Sequence, residues 1–396
     1  MNIFALSKSL TLLFLFIATS NAVFGSEQIE SECDPSALKI SKRITVTSSF
    51  FFDKKQRNIC IENDGGFHVR AGGELKLEGV KMTLMNNSLL IEGNGLIELD
   101  PGSTLKLKGV QIISKYKVNI KETKDSITGA LGISGSVNII KGSTSEKLGL
   151  RVEISDTQMI SKNQFSTGGV LIQPPSINTK PVTGWIINSK FDGIWAPIMV
   201  LNAKKFKISN NSFKKNPGSN IVISGSDVAI NDNDIVFPGS GYIGDGITIY
   251  ESLKNSKITN NNISGGSCYG IWFFNSEFHN ILVSHNRISS GVTNGLNISN
   301  DKKLKSDSLL ITENHFTGNA GFGVGIDKDV SGVTVSSNYF IGNARLFGNN
   351  DISISNTASA VIDEENISAQ AIDTEWAKTR DPFRTHVNQS LKILRY

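Results

Sequence analysis

The sequence predicts an all-β solenoid, short strands wound into stacked coils, on three observations. The first is a phrase that returns six times between residues 208 and 340: ISNNSF from Ile208, INDNDI from Ile230, ITNNNI from Ile258, VSHNRI from Val283, ITENHF from Ile311 and VSSNYF from Val335. Its Asn (Asn211, Asn233, Asn261, Asn286, Asn314, Asn338) recurs every 22 to 28 residues, the interval of one turn in a stacked repeat protein. The second is a companion phrase ahead of each: PIMVLNA from Pro197, NIVISGS from Asn220, GITIYES from Gly246, GIWFFNS from Gly270, GLNISND from Gly295 and GVGIDKD from Gly323. The third is the period. Apolar residues alternate in runs of five to seven bounded by Gly, Asn, Ser and Asp, which marks half-buried strands, and helical spacing is absent.

Each coil is therefore two or three short strands joined by tight turns. Parallel stacking at about 4.8 Å brings like positions of successive coils into columns. The six Asn residues then form a ladder, since Asn tolerates the left-handed backbone region and its amide can bond to the amides above and below.

The N-terminal coils use a different phrase. IENDGGFHVRAGGELKLEGVKM from Ile61 is echoed by IEGNGLIELDPGSTLKLKGVQI from Ile91, with one wet strand face and no ladder Asn. Thr157 and Ser189 stand at the ladder corner of the intervening coils, so the repeat is traced from about 60 to about 345. The expected organisation is a signal peptide over 1–25, an N-terminal cap over 26–59, the solenoid over 60–355 and a C-terminal capping tail over 356–396. Lys8, the apolar run from Leu10 and the small residues Ala22 and Gly25 make the leader. That run is short for a membrane span, and no later segment is apolar for long enough. An open solenoid exposes strand edges at both ends, which must be covered. The tail carries Trp376, Phe383, Leu391 and Leu394 among charges, and Pro382 divides it into two short pieces expected to be partly helical.

Cys33 and Cys60 flank the expected cap and could tie it to the first coil, leaving Cys268 single; three reduced cysteines fit equally well. Cys-x-x-Cys and His-x-x-x-His spacings are absent, so zinc is not implied. The formal charge of +4 includes Lys8 of the leader. Such a mild excess tolerates an acidic polysaccharide without demanding one. No stripe of Lys and Arg interleaved with aromatics points to nucleic acid.

Within the companion strands, residues between the buried aliphatics point outward and stack in columns. One reads Met199, Val222, Thr248, Trp272, Asn297, Gly325; the next reads Leu201, Ser224, Tyr250, Phe274, Ser299, Asp327. Tyr250, Trp272 and Phe274 would form an aromatic patch beside Asn297, with Asp245 and Glu251 at the edges of the Tyr250 coil. Flat rings flanked by carboxylates and amides suit a sugar, whose C–H face stacks while its hydroxyls hydrogen-bond. A loop or the C-terminal tail lying over the patch is the competing reading.

On these phrases the chain resembles the right-handed parallel β-helix proteins, among them pectate lyases, mannuronan C-5 epimerases and tailspikes. The resemblance implies a single-stranded right-handed parallel β-helix and a carbohydrate-active function, although the fold hosts many functions. Epimerase strands similar to GIWFFNS and GITIYES carry Asp-Pro-His with an Arg nearby after the initial Gly-Ile. Here those places hold Trp272, Phe273 and Phe274, or Thr248, Ile249 and Tyr250, and GIDKD from Gly325 recovers only the Asp.

Uronate lyases and C-5 epimerases share a first step, in which a base removes the C5 proton while the adjoining carboxylate is neutralised. Tyr250 is the candidate acid or base, His279 its partner and Arg287 the carboxylate clamp. A rival set, Arg287, His315 and Tyr339, falls in one column just after the Asn ladder. Calcium of the pectate-lyase kind would need clustered carboxylates. Asp232 and Asp234 are the best pair, and Asp residues that serve a turn are commoner than calcium ligands. No other cofactor is implied.

The expected protein is periplasmic or secreted and binds or modifies a polysaccharide, a uronate polymer being the substrate for lyase or epimerase chemistry. The alternative is a non-catalytic surface, adhesion or periplasmic accessory protein.

Overall fold

A computed structural model describes residues 33–371 and 391–395, apart from 53–57, 64, 86–94, 116–136, 162–166, 176–177, 238–243, 266–267, 292, 300–305, 328, 344–350, 356–357 and 364. The leader, residues 1–25, lies outside them. Each coil contributes to three walls. The first wall holds the companion phrases, the second the strand running into the ladder Asn, and the third the short strand after it. Two coils show the pattern: Ile247–Thr259 then Asn262–Ser264, and Ile271–Ser284 then Arg287–Ser289. In both, one long strand serves the first two walls by bending at residues with positive φ, Glu251 and Asn255 in one, Asn275 and Asn280 in the other.

Pairing between coils is parallel and in the register that the phrases require. Thr248 sits opposite Trp272, and Trp272 opposite Asn297; Tyr250 lies opposite Phe274, and Phe274 opposite Ser299. The inward column Ile221, Ile247, Ile271, Leu296, Val324 lies fully inside. Each such side chain contributes roughly 1.5–3 kcal/mol of burial. On the third wall Phe191 stacks on Phe213 at 5.1 Å, and Phe316 on Phe340 at 5.2 Å.

The Asn ladder is continuous. In each rung, one Oδ1 accepts both the backbone N–H and the side-chain amide of the Asn one coil earlier; from Asn286 to Asn314 both bonds are 2.9 Å. Every Nδ2 also donates to a carbonyl of the preceding coil, as Asn286 does to Ile258 at 2.8 Å. Ser189 and Thr157 extend the chain in hydroxyl form, Ser189 Oγ accepting the Thr157 N–H at 3.2 Å. Asn366 adds a rung beyond Asn338. The left-handed residue is the one before the ladder Asn (Asn210, Asp232, Asn260, His285, Glu313, Ser337). Asn is therefore selected at this corner for its hydrogen bonds, and backbone tolerance is demanded of its neighbour. In the N-terminal coils Gly79 and Gly109 take that left-handed place, and the buried Val80 and Val110 follow.

Strands begin earlier than residue 60. Leu38–Ile40, Arg43–Val46 and Ser49–Phe52 each pair in parallel with the next coil, and a Cys33–Cys60 disulfide fastens the chain ahead of them, with Cα atoms 5.8 Å apart.

The expectation of a partly helical C-terminal tail is overturned: no helix occurs among the described residues. Ile367–Ala371 continues the third wall in parallel from Tyr339–Ile341, and Leu391–Arg395 returns antiparallel against it. The physical reason is the open edge. Unpaired N–H and C=O groups of a terminal strand accept a further strand, and that pairing overrides the local helix propensity of Ala, Glu, Lys and Leu. The alternating LKILR run suits this role. Residues 372–390, with Trp376, Pro382 and Phe383, lie outside the described residues.

Candidate functional site on the first wall

The outer face of the first wall changes character along the solenoid. Met199, Leu201 and Val222 point away from the lumen yet are buried, forming an apolar cluster of their own against which Leu171 and Tyr250 pack. Beyond it lies a contiguous run of rings. Tyr269 meets Trp272 at 5.0 Å, Trp272 meets Phe274 at 4.3 Å, and Phe274 stacks on Tyr250 at 6.1 Å. All four are half-buried. The register dictates this, since Trp272 and Phe274 are two apart on one strand and Tyr250 lies one coil before Phe274.

Polar groups frame the rings. The Trp272 indole donates to Ser299 Oγ at 2.8 Å. Asn297 is buried rather than lining the face, its Oδ1 accepting from Asn294 at 2.8 Å, and Asn294 in turn accepts the Phe322 N–H at 2.8 Å. Gly325 leaves room for that pair: a Cβ there would stand 2.3 Å from Asn294 Nδ2 and 2.6 Å from Asn297 Oδ1.

Asp245 is buried beneath the patch, 2 % exposed. Its Oδ1 accepts the Tyr269 N–H at 3.1 Å, and its Oδ2 accepts the hydroxyls of Thr248 at 3.1 Å and Ser219 at 3.3 Å. Burial outweighs these bonds and lifts the carboxyl to about 7. The carboxyl thus holds the base of the platform by gripping Tyr269. Burial, followed by the Asp245 charge, pushes the Tyr269 phenol up to about 12, so it stays a donor near neutrality. Burial raises the adjacent Cys268 thiol to about 11. Tyr269 escaped the sequence reading although Cys268-Tyr269-Gly270 directly precedes the Trp272 strand; its place before the strand hid its proximity to Trp272.

The catalytic trio read from sequence is spread around the coil. Tyr250 is on the first wall, with the exposed Glu251 at the bend after it. His279 lies beyond the bend at Asn275, where its Nδ1 meets Asp307 Oδ1 at 3.1 Å. Arg287 is on the third wall. Asn286 separates His279 from Arg287 at the ladder corner, so sequence proximity carried these residues to different faces. The rival column does assemble, with Arg287 opposite His315 and His315 opposite Tyr339. The last two rings lie 5.4 Å apart, and burial, then Arg287, lowers the His315 pKa. Asp234 accepts from Asn262 at 2.8 Å, and Asp232 accepts from Asn231. Among the described residues, the group of three metal-type donors found close together is Cys33, Cys60 and Glu62, whose sulfurs form the disulfide.

The family described as "Right handed beta helix region" matches residues 15–280 and 196–367. The chain belongs to this family. Its strand pairing and ladder are those of a right-handed parallel β-helix, related at a distance to solved members of that fold. The periplasmic alginate epimerase AlgG is 15 % identical over 83 % of this chain and 85 % of its own, with a TM-score of 0.50. A polygalacturonase from Erwinia carotovora ssp. carotovora is 12 % identical over 82 % and 97 %, with a TM-score of 0.41. The Dettilon tailspike protein gp208 is 14 % identical over 83 % and 60 %, with a TM-score of 0.35. At that identity the likeness to the epimerase shows the fold alone. Among curated protein sequences, none matches the chain. No helix of the described residues is long and apolar enough to cross a membrane.

Proposed function

We propose that this is an exported carbohydrate-active β-helix protein that binds a polysaccharide along the outer face of the first wall, with a uronate polymer as its ligand. The observation that carries this reading is the unbroken run Tyr269, Trp272, Phe274, Tyr250, bordered by the Ser299 hydroxyl, on a parallel sheet. Three rings lie across one coil and Tyr250 stands one coil before Phe274, a flat platform suited to sugar units that present apolar C–H faces. The Cys33–Cys60 disulfide supports an oxidising compartment outside the cytoplasm. The similarity to an alginate epimerase supports a uronate ligand in kind.

Turnover by lyase or C-5 epimerase chemistry needs a base and a carboxylate clamp on one face. Of the trio, Tyr250 alone stands beside the rings, with Asp245 sealed below them. The separation of His279 and Arg287 favours the second reading, a β-helix that holds a polysaccharide without transforming it. The test is a screen of the purified protein against alginate, pectate and glycosaminoglycans, read by glycan binding, by absorbance of the unsaturated product and by NMR of C5 proton exchange. Binding without either chemical signal supports the second reading, and a signal abolished by Tyr250→Phe supports the enzyme. Absence of binding to every polymer contradicts both.

A further inference from the structure

A shallow, open cleft of about 380 Å³ lies on the corner leading into the second wall, in the N-terminal half of the solenoid. Three successive coils build it, since Thr104, Arg151 and Thr183 are register partners. The chain entering those strands supplies Lys147 and Lys180. The cleft's lining contains three cations and no acid. Arg151 is already engaged, its guanidinium paired with Glu153 and 5.7 Å above the Trp185 ring. Lys147 and Lys180 make no ion pair among the described residues.

The entering segments are held in place. Gly102 N–H donates to Gly149 O at 2.6 Å, and Lys180 N–H donates to Ser145 O at 2.7 Å. Asn202 reaches across to bond both the carbonyl and the hydroxyl of Thr179 at 2.9 and 3.1 Å. The two free ammonium groups are thus carried by backbone tied to the neighbouring coils.

We propose that this cleft is a binding subsite for an anionic sugar unit of a polysaccharide, separate from the aromatic face and independent of the function read there. Lys147 and Lys180 meet the charge as point cations, while the Thr104 and Thr183 hydroxyls serve the sugar's own hydroxyls. The volume falls at the lower end of small-ligand clefts, roughly 300–1,000 Å³. Ammonium groups do not select carboxylate over sulfate by shape as a free guanidinium fork does, so a uronate and a sulfated sugar share the required chemistry.

Calorimetric titration of the purified protein tests this, with a tetragalacturonate, its fully methyl-esterified neutral form, a heparin-derived tetrasaccharide and inorganic phosphate as probes. At least one anionic tetrasaccharide binds, the neutral form binds more weakly, and Lys147→Gln with Lys180→Gln weakens the anionic probe about tenfold, the loss of two screened ion pairs. The uronate and heparin arms identify the source of the charge. In a Trp272→Ala background, which weakens the first-wall contribution, the anionic probe still binds and the added Lys147→Gln and Lys180→Gln substitutions still weaken it about tenfold, which separates this site from the first wall. Equal affinity in the double lysine variant, equal binding of the neutral form, phosphate competing as well as the sugars, or no binding of either anionic probe overturns the proposal. Both lysines are exposed, so a folding defect does not confound the variant.

Discussion

Replacing Asp245 by Asn converts a pH-dependent support into a pH-independent one. The carboxyl titrates near 7 when folded against 3.8 ordinarily, a gap of about three units worth about 1.36 kcal/mol each, so of order 4 kcal/mol. Because the folded pKa is raised, the folded state holds a proton that the unfolded chain has released between these values. This group's contribution is therefore fully present below about pH 4, declines as pH rises to about 7, and levels off above. Asparagine keeps the shape. Its Oδ1 accepts the Tyr269 N–H, and the Thr248 and Ser219 hydroxyls rotate to accept from its NH₂. The difference between Asp245→Asn and wild type, read by urea denaturation at pH 4, 5.5, 7 and 8.5, should grow in favour of the variant and then plateau. Other titrating groups cancel in that difference. A difference independent of pH, or a variant less stable than wild type at pH 8.5, would refute the buried-carboxyl argument.

Asn286→Ala removes five ladder bonds, three donated by its amide and two accepted from Asn261. It leaves the Asn261 N–H buried and unpaired, so the loss should be about 3–5 kcal/mol in chemical denaturation. Replacing both Cys33 and Cys60 by Ser opens a loop with a sequence separation of 27 residues and should cost about 3.5 kcal/mol on the chain-entropy account, seen as a lower denaturation midpoint with fraying of the first coil in hydrogen exchange. Gly325→Ala drives a Cβ into Asn294 and Asn297 and should cost about 1–3 kcal/mol as those amides shift, with slower ligand association if they support the Trp272 face.

What the sequence revealed and what it withheld divide along the coil's cross-section. Column partners such as Thr248, Trp272 and Asn297 were legible because strands alternate with period two and coils stack in register, so equivalent phrase positions must be vertical neighbours. Wall assignment was not, because it depends on where a long strand bends. His279 follows Trp272 by only seven positions yet lies past the Asn275 bend, and Arg287 lies past the ladder corner. The second set of buried amides, Asn216, Asn319 and Asn343, was hidden by the variable segments that set its spacing. Asn319 and Asn343 bond to each other at 2.8 Å, and Asn216 caps Ile194 at 2.9 Å. Asp245 was read as an edge carboxylate, since nothing local shows that a residue before a strand will be covered. The tail's strand depends on an edge built by residues far from it in sequence, against its own helical composition.

The account's central functional claim is that a sugar chain lies on the rings centred at Trp272, and affinity of wild type and Trp272→Ala for alginate- and pectate-derived oligosaccharides tests it most directly. The prediction is measurable binding to at least one acidic oligosaccharide, reduced about tenfold or more in the variant while its unfolding midpoint stays close to wild type. Undiminished affinity in a folded Trp272→Ala protein would contradict the claim.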